Sequence, residues 1–269
     1  MFNKKYWLEL IKKQSWFEWF MVISFFILMV FFSIADIDKN YNLMINSNWN
    51  SGSIAIMGQT LILLSSFLVS MTVLNRVHRM KQELPFLLAT SSFTGIGLLM
   101  LGYSGFMKED GWSSSLMGPG MVQLFVFGMS ALSGLAKYGE SKENVIPAKK
   151  KFVCKELIIA LVVVISSIGP YFMIFDKFGP ANAAGKSINW WDWFGIIGFA
   201  FSSAAIVVMV LFRWTWTFIF WTVANIIFVI YYALIPSSVL PLIIISTLFT
   251  IVDFYILIRW IKDQKNLKI

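Results

Sequence analysis

The chain has 269 residues, of which 58% are hydrophobic, 17% aromatic and only 13% charged, with a formal net charge of +8. Apolar runs of about twenty residues recur along it, each able to cross a hydrocarbon core of roughly 30 Å as a helix, which excludes an ordinary water-soluble domain. The runs lack the alternation of a membrane barrel, and the basic residues gather beside alternate hydrophobic ends, which is a topology signal and gives no case for nucleic acid.

The expected fold is all-α, a polytopic membrane protein of about eight transmembrane helices. The opening MFNKKYWLELIKKQ sets Lys4, Lys5, Lys12 and Lys13 against Tyr6, Trp7, Leu10 and Ile11, which predicts a short interfacial helix on the cytoplasmic leaflet. The first span is expected over 16–35. Ser33-Ile34-Ala35 has the small-x-small form of a cleavage site, but the apolar stretch is long for a signal peptide and opens with Glu18 among aromatics, so the span is expected to be retained. DIDKNYNLMINSNWN reads as the first loop.

Spans follow at about 52–74 and 85–106, with Arg76, His78, Arg79 and Lys81 between them. The next, about 116–136, carries Gly118-Pro119-Gly120, where the helix is expected to kink or to begin. After the basic loop KYGESKENVIPAKKKFVCK come spans at about 156–175 and 190–212, then about 215–235 and, beyond a Pro236 turn, 238–260. Together they make one transmembrane domain, 1–260, followed by a cytoplasmic tail, 261–269.

With a cytoplasmic N-terminus, only Lys39, Lys108, Lys177 and Lys186 of the 22 Lys and Arg residues fall outside. That bias predicts a plasma (inner) membrane protein with both termini cytoplasmic. It also places Trp190, Trp191 and Trp193 at an outer interface, as an aromatic belt.

Residues 65–76, SSFLVSMTVLNR, align without a gap on 202–213, SSAAIVVMVLFR, each from Ser-Ser to Arg. The match predicts a duplicated unit: one three-helix bundle over about 52–136 and a parallel copy over about 190–260, joined by a linker helix over about 156–175. The span over 16–35 is then an extra helix outside the core.

No catalytic constellation is present, so transport outranks an enzyme. His78 is expected as a solvated side chain in a basic loop, and Cys154 as an inert thiol with no intramolecular partner. One His and one Cys build no metal site, and nothing calls for a cofactor.

Polar residues inside spans are the informative ones, because an unpartnered amide in lipid costs several kcal/mol. Gln59, Gln123 and Asn225 are expected either to face a central cavity and bind substrate or to join helices by hydrogen bonds. Trp221 lies one helical turn before Asn225, with Phe218, Phe228 and Tyr232 near the same stripe, as a wall for a flat polar ring or as packing. Asp253 is expected to pair with Arg213 or Arg259, the alternative being a proton-coupling group. Gly195, Gly198, Ser202 and Ala205 form a small-residue stripe for close helix packing.

Arg213, Trp221 and Asn225, with the ending Ile258-Arg259-Trp260-Ile261-Lys262, resemble the second half of the PnuC-type vitamin transporters, the nicotinamide riboside transporter family. The opening SWFEWFMVISFF is similar to that of the family's Gram-positive members. Thr217-Phe218 departs from the family's Gln-Trp, and QELPFLLATSSF is the nearest counterpart of its Asn-Tyr segment. The resemblance implies a SWEET-like fold and facilitated diffusion of a vitamin precursor, foremost nicotinamide riboside, trapped by a cytoplasmic kinase. It also implies a homotrimer. Thiamine, riboflavin or a nucleoside is the alternative cargo, and an accessory or substrate-binding subunit of a membrane complex is the alternative role.

Overall fold

The structure, a computed structural model, describes all residues except 1–3, 47–48, 108–115, 141–144, 147, 149–153, 179–187, 235–239 and 267–269. The Pro236 turn, most of the basic loop after Tyr138, Lys108, Lys186 and Lys268 therefore lie outside the described residues. The helices are α1 Lys4–Lys13, α2 Trp16–Asn46, α3 Trp49–Val77, α4 Glu83–Met107, α5 Met117–Tyr138, α6 Cys154–Phe178, α7 Asp192–Phe212, α8 Thr217–Leu234 and α9 Leu240–Asn266. Among the described residues, helices α2 to α9 each contain a stretch long and apolar enough to cross a membrane, eight in all. The fold is all-α and polytopic, as expected.

Two boundaries differ from the sequence reading. The stretch expected as the first loop is helical as far as Asn46, where α2 ends, and again from Trp49, where α3 starts. No glycine or proline interrupts residues 16–46, so nothing in the polar segment stops the helix. Similarly α9 continues through the expected tail to Asn266.

Local chemistry explains several helix starts. Ser15 and Glu18 form a capping box at α2: Glu18 N–H donates to Ser15 Oγ (3.2 Å) and Ser15 N–H to Glu18 Oε2 (2.7 Å). At α7, Asn189 N–H donates to Asp192 Oδ2 (3.0 Å), which fixes the turn that admits the helix. Helix α5 begins at the Gly-Pro-Gly segment, with Pro119 in its first turn, where a missing N–H costs nothing. Its residues Val122–Phe127 are wound as a π-helix, an irregularity that concentrates at functional sites.

The helices pack in series: α2 on α3, α3 on α4, α4 on α5, α5 on α7, α7 on α8 and α8 on α9. Helix α6 lies against α7 and reaches the start of α5, while α9 returns to touch α2 and α3. Helix α7 is buried on almost every side, from Gly195 and Ile196 to Val210, which makes it the axis of the molecule.

Between lipid-soluble helices contact must come from shape, so glycines mark where backbones meet. A Cβ at Gly97 would lie 2.7 Å from Gly58 O and 2.8 Å from Ile62 Cγ1, and one at Gly95 would lie 3.0 Å from Leu124 Cβ and N and 3.1 Å from Gly120 O. These contacts join α3 to α4 and α4 to α5. The expected stripe on α7 works differently: Gly195 receives the rings of Phe175 and Tyr231, and Gly198 that of Phe228, so its glycines seat aromatic rings. Gly97→Ala is expected to cost about 1–3 kcal/mol, since the obstructing atom is backbone. Gly169→Ala, where a new Cβ meets nothing within 4 Å, should be neutral or slightly stabilising; thermal unfolding in detergent compares the two.

Candidate substrate site

The end of α7 turns on an unusual residue. Arg213 adopts the left-handed conformation (φ 53°, ψ 36°) as the C-cap, its N–H bonded to Met209 O at 2.9 Å. Glycine ordinarily holds this position, so an arginine there implies that its side chain is needed. Its Nη1 donates to Glu83 Oε2 at 3.1 Å, while Arg76, near the end of α3, donates from Nε to Glu83 Oε1 at 3.0 Å. One carboxylate, fully buried at the start of α4, thus joins the two arginines that end the two matched sequence segments. Trp260 of α9 completes the group: its Nε1 donates to Arg76 O (2.9 Å), and the Arg213 guanidinium lies 5.1 Å from its ring centroid.

Beside this clasp lies the aromatic and amide stripe of α8. Trp221 meets Phe127, at the end of the π-helical turn of α5, edge to face at 5.5 Å, and Arg76 sits 5.9 Å from its ring centroid. The Trp221 Nε1 is enclosed, with no hydrogen-bond partner among the described residues. One turn on, Asn225 donates from Nδ2 to Asp253 Oδ2 of α9 at 2.8 Å, both residues being buried.

The structure does not bring the seven predicted residues to one level. At about 1.5 Å per residue, Trp221 and Asn225 lie roughly 6 and 12 Å from the start of α8. Phe228 and Tyr232 lie farther along it, stacked at 6.0 Å, with Phe199 edge to face on Phe228. Gln59 on α3 lies about 25 Å along the helix from Arg76, and Gln123 about 22 Å from the end of α5. Phe218 is fully buried and packs edge to face on Trp260 at 4.9 Å.

Two further expectations change. Asp253 pairs with neither Arg213 nor Arg259: Arg213 is held by Glu83, Arg259 lies 3.7 Å from Glu18, and Asp253 takes the Asn225 amide. His78 is enclosed, its Nε2 3.0 Å from Gln14 Oε1 and 3.3 Å from Glu18 Oε2, so it is not a solvated loop side chain. Glu18 also accepts from Tyr255 OH at 2.8 Å, which ties α2 to α3 and α9. Cys154 is exposed at the start of α6.

Comparison with known proteins decides the relationship. The sequence profile described as "Nicotinamide mononucleotide transporter" matches residues 110–262, more than half of the chain. The chain belongs to the nicotinamide mononucleotide transporter family. A structure described as the crystal structure of the vitamin B3 transporter PnuC matches with a TM-score of 0.57 and 16% identity over 98% of this chain and 99% of that one, a likeness of fold. A search of curated proteins gives no significant match.

The stretch that carries the nicotinamide mononucleotide transporter profile contains Gln123, Phe127, Arg213, Trp221, Asn225, Asp253 and Trp260. Glu83 and Arg76 lie before it. Sequence reasoning missed Glu83, although a signal was present: two arginines at matched span ends require a buried acid, and Glu83 opens the helix that follows the first of them.

Proposed function

We propose that this protein carries a vitamin B3 precursor, nicotinamide riboside foremost, across the plasma (inner) membrane by facilitated diffusion, a cytoplasmic kinase trapping the product. The observation that carries the reading is Trp221: a half-buried aromatic within α8 whose enclosed N–H meets no partner among the described residues, one turn from the amide of Asn225. A buried donor left unmade costs about 1–3 kcal/mol, which a ring-bearing polar ligand relieves on binding. Trp221 and Asn225 contact the ligand in this reading. Phe228, Tyr232, Gln59 and Gln123 line the route on the other side, and Phe218 supports the site from behind. The protein is a transporter with no catalytic role, one transmembrane domain whose halves over about 52–136 and 190–260 rock about the α6 linker, and α2 an added helix. A homotrimer is the assembly implied by the resemblance.

Uptake of labelled nicotinamide riboside into liposomes containing only this protein tests the reading; background uptake of this ligand, thiamine, riboflavin and nucleosides would overturn it. Such a result is also what an accessory subunit would give. Asn225→Ala is expected to weaken binding by about 1–3 kcal/mol, measured by calorimetry on folded protein. Orientation has its own test in the single native thiol. With the Arg213 end cytoplasmic, a membrane-impermeant maleimide should label Cys154 only after the cell membrane is opened.

A further inference from the structure

We infer that Asp253 acts through Asn225 as a positioning residue that makes the site select ligands offering a hydrogen-bond donor. The inference rests on the substrate role of Asn225 proposed above. An asparagine amide offers a donor and an acceptor and can turn by half a rotation, so alone it accepts either polarity in a ligand. Here Asp253 removes that freedom: its Oδ2 receives Asn225 Nδ2 at 2.8 Å, in a contact buried on both sides. In its ionised form Asp253 accepts and does not donate, so the turned amide would set oxygen against oxygen. The amide therefore keeps its NH2 on α9 and presents Oδ1 away from Asp253.

The charged groups around Asp253 support this assignment. Arg213 is committed to Glu83, and Arg259 lies beside Glu18. The Arg76 Nε is bonded to Glu83. Among the described residues the hydrogen-bond partner of Asp253 is the amide. On α8 the enclosed Trp221 Nε1 offers the complementary donor one turn away. A site that presents one acceptor and one donor matches a primary carboxamide, whose NH2 and C=O supply both partners. A carboxylate in that place has no hydrogen to give to Asn225 and adds a negative charge beside Asp253.

Three ligands separate the possibilities by calorimetry on purified protein: nicotinamide riboside, the riboside of nicotinic acid, and the riboside of 3-acetylpyridine, which keeps the neutral carbonyl but lacks the N–H. The wild type should bind the carboxamide at least about tenfold more tightly than either analogue, because a site built to bond a polar hydrogen rejects ligands without it. Asp253→Asn frees the amide to turn and should bring the acetyl compound to within about threefold of the carboxamide. A wild type that binds all three alike overturns the inference without touching the functional reading, and needs no variant to fold. Folded Asp253→Asn with undiminished discrimination also overturns it. Failure of the wild type to bind any ring ligand overturns the functional reading and this inference together.

Discussion

Glu83→Gln is expected to destabilise the folded protein by about 3–5 kcal/mol, the range for removing one partner from a buried ion pair. Glu83 is fully buried and is the described counter-ion of both Arg76 and Arg213, themselves 8% and 1% exposed. Neutralising it strands two cations where the desolvation already borne is no longer offset. Arg213 is the more vulnerable, since its Nε and Nη2 already lack partners among the described residues and only Nη1 is bonded to the carboxylate. Thermal unfolding in detergent should show the apparent melting temperature falling by roughly 10 °C. Adding Arg213→Met to Glu83→Gln should recover part of the loss, because one stranded charge is removed. A double variant less stable than the single one would show that Arg213 contributes mainly through Trp260. The substitution also probes the contact at which Glu83 joins the ends of both matched segments.

Trp221→Ala is expected to weaken ligand binding by about 2–4 kcal/mol, the magnitude of a central aromatic hot spot, which is on the order of 30- to 1,000-fold in Kd. Two effects are lost together, the ring proposed to face the ligand and the Nε1 donor that no described residue satisfies. Trp221→Phe separates them: the ring and its edge-to-face contact with Phe127 remain while the donor goes, so a loss of about 1–2 kcal/mol is expected. If Trp221→Phe binds as tightly as the wild type, the orphan N–H has no part in recognition. If Trp221→Ala lowers the melting temperature and leaves affinity unchanged, the residue is a packing element between α5 and α8.

Much of this protein was legible one-dimensionally because a membrane restricts the choices so strongly. Apolar run length fixed the number of spanning helices, and the helical period placed Trp221 and Asn225 on one stripe of α8. The two arginines that end the Ser-Ser to Arg match meet on Glu83. What the sequence could not determine is how each helix is rotated toward its neighbours. Periodicity relates residues within a helix, whereas a buried charge is paired across helices, and several acids and bases lay within reach at the same end.

Tertiary packing alone decided that Asp253 serves Asn225 while Glu18 draws in His78, Tyr255 and Arg259. It likewise turned the small residues of α7 into seats for Phe175, Tyr231 and Phe228, because shape complementarity depends on which side chain arrives opposite. The place of each of the seven residues along its own helix, by contrast, follows from sequence position and the rise per residue.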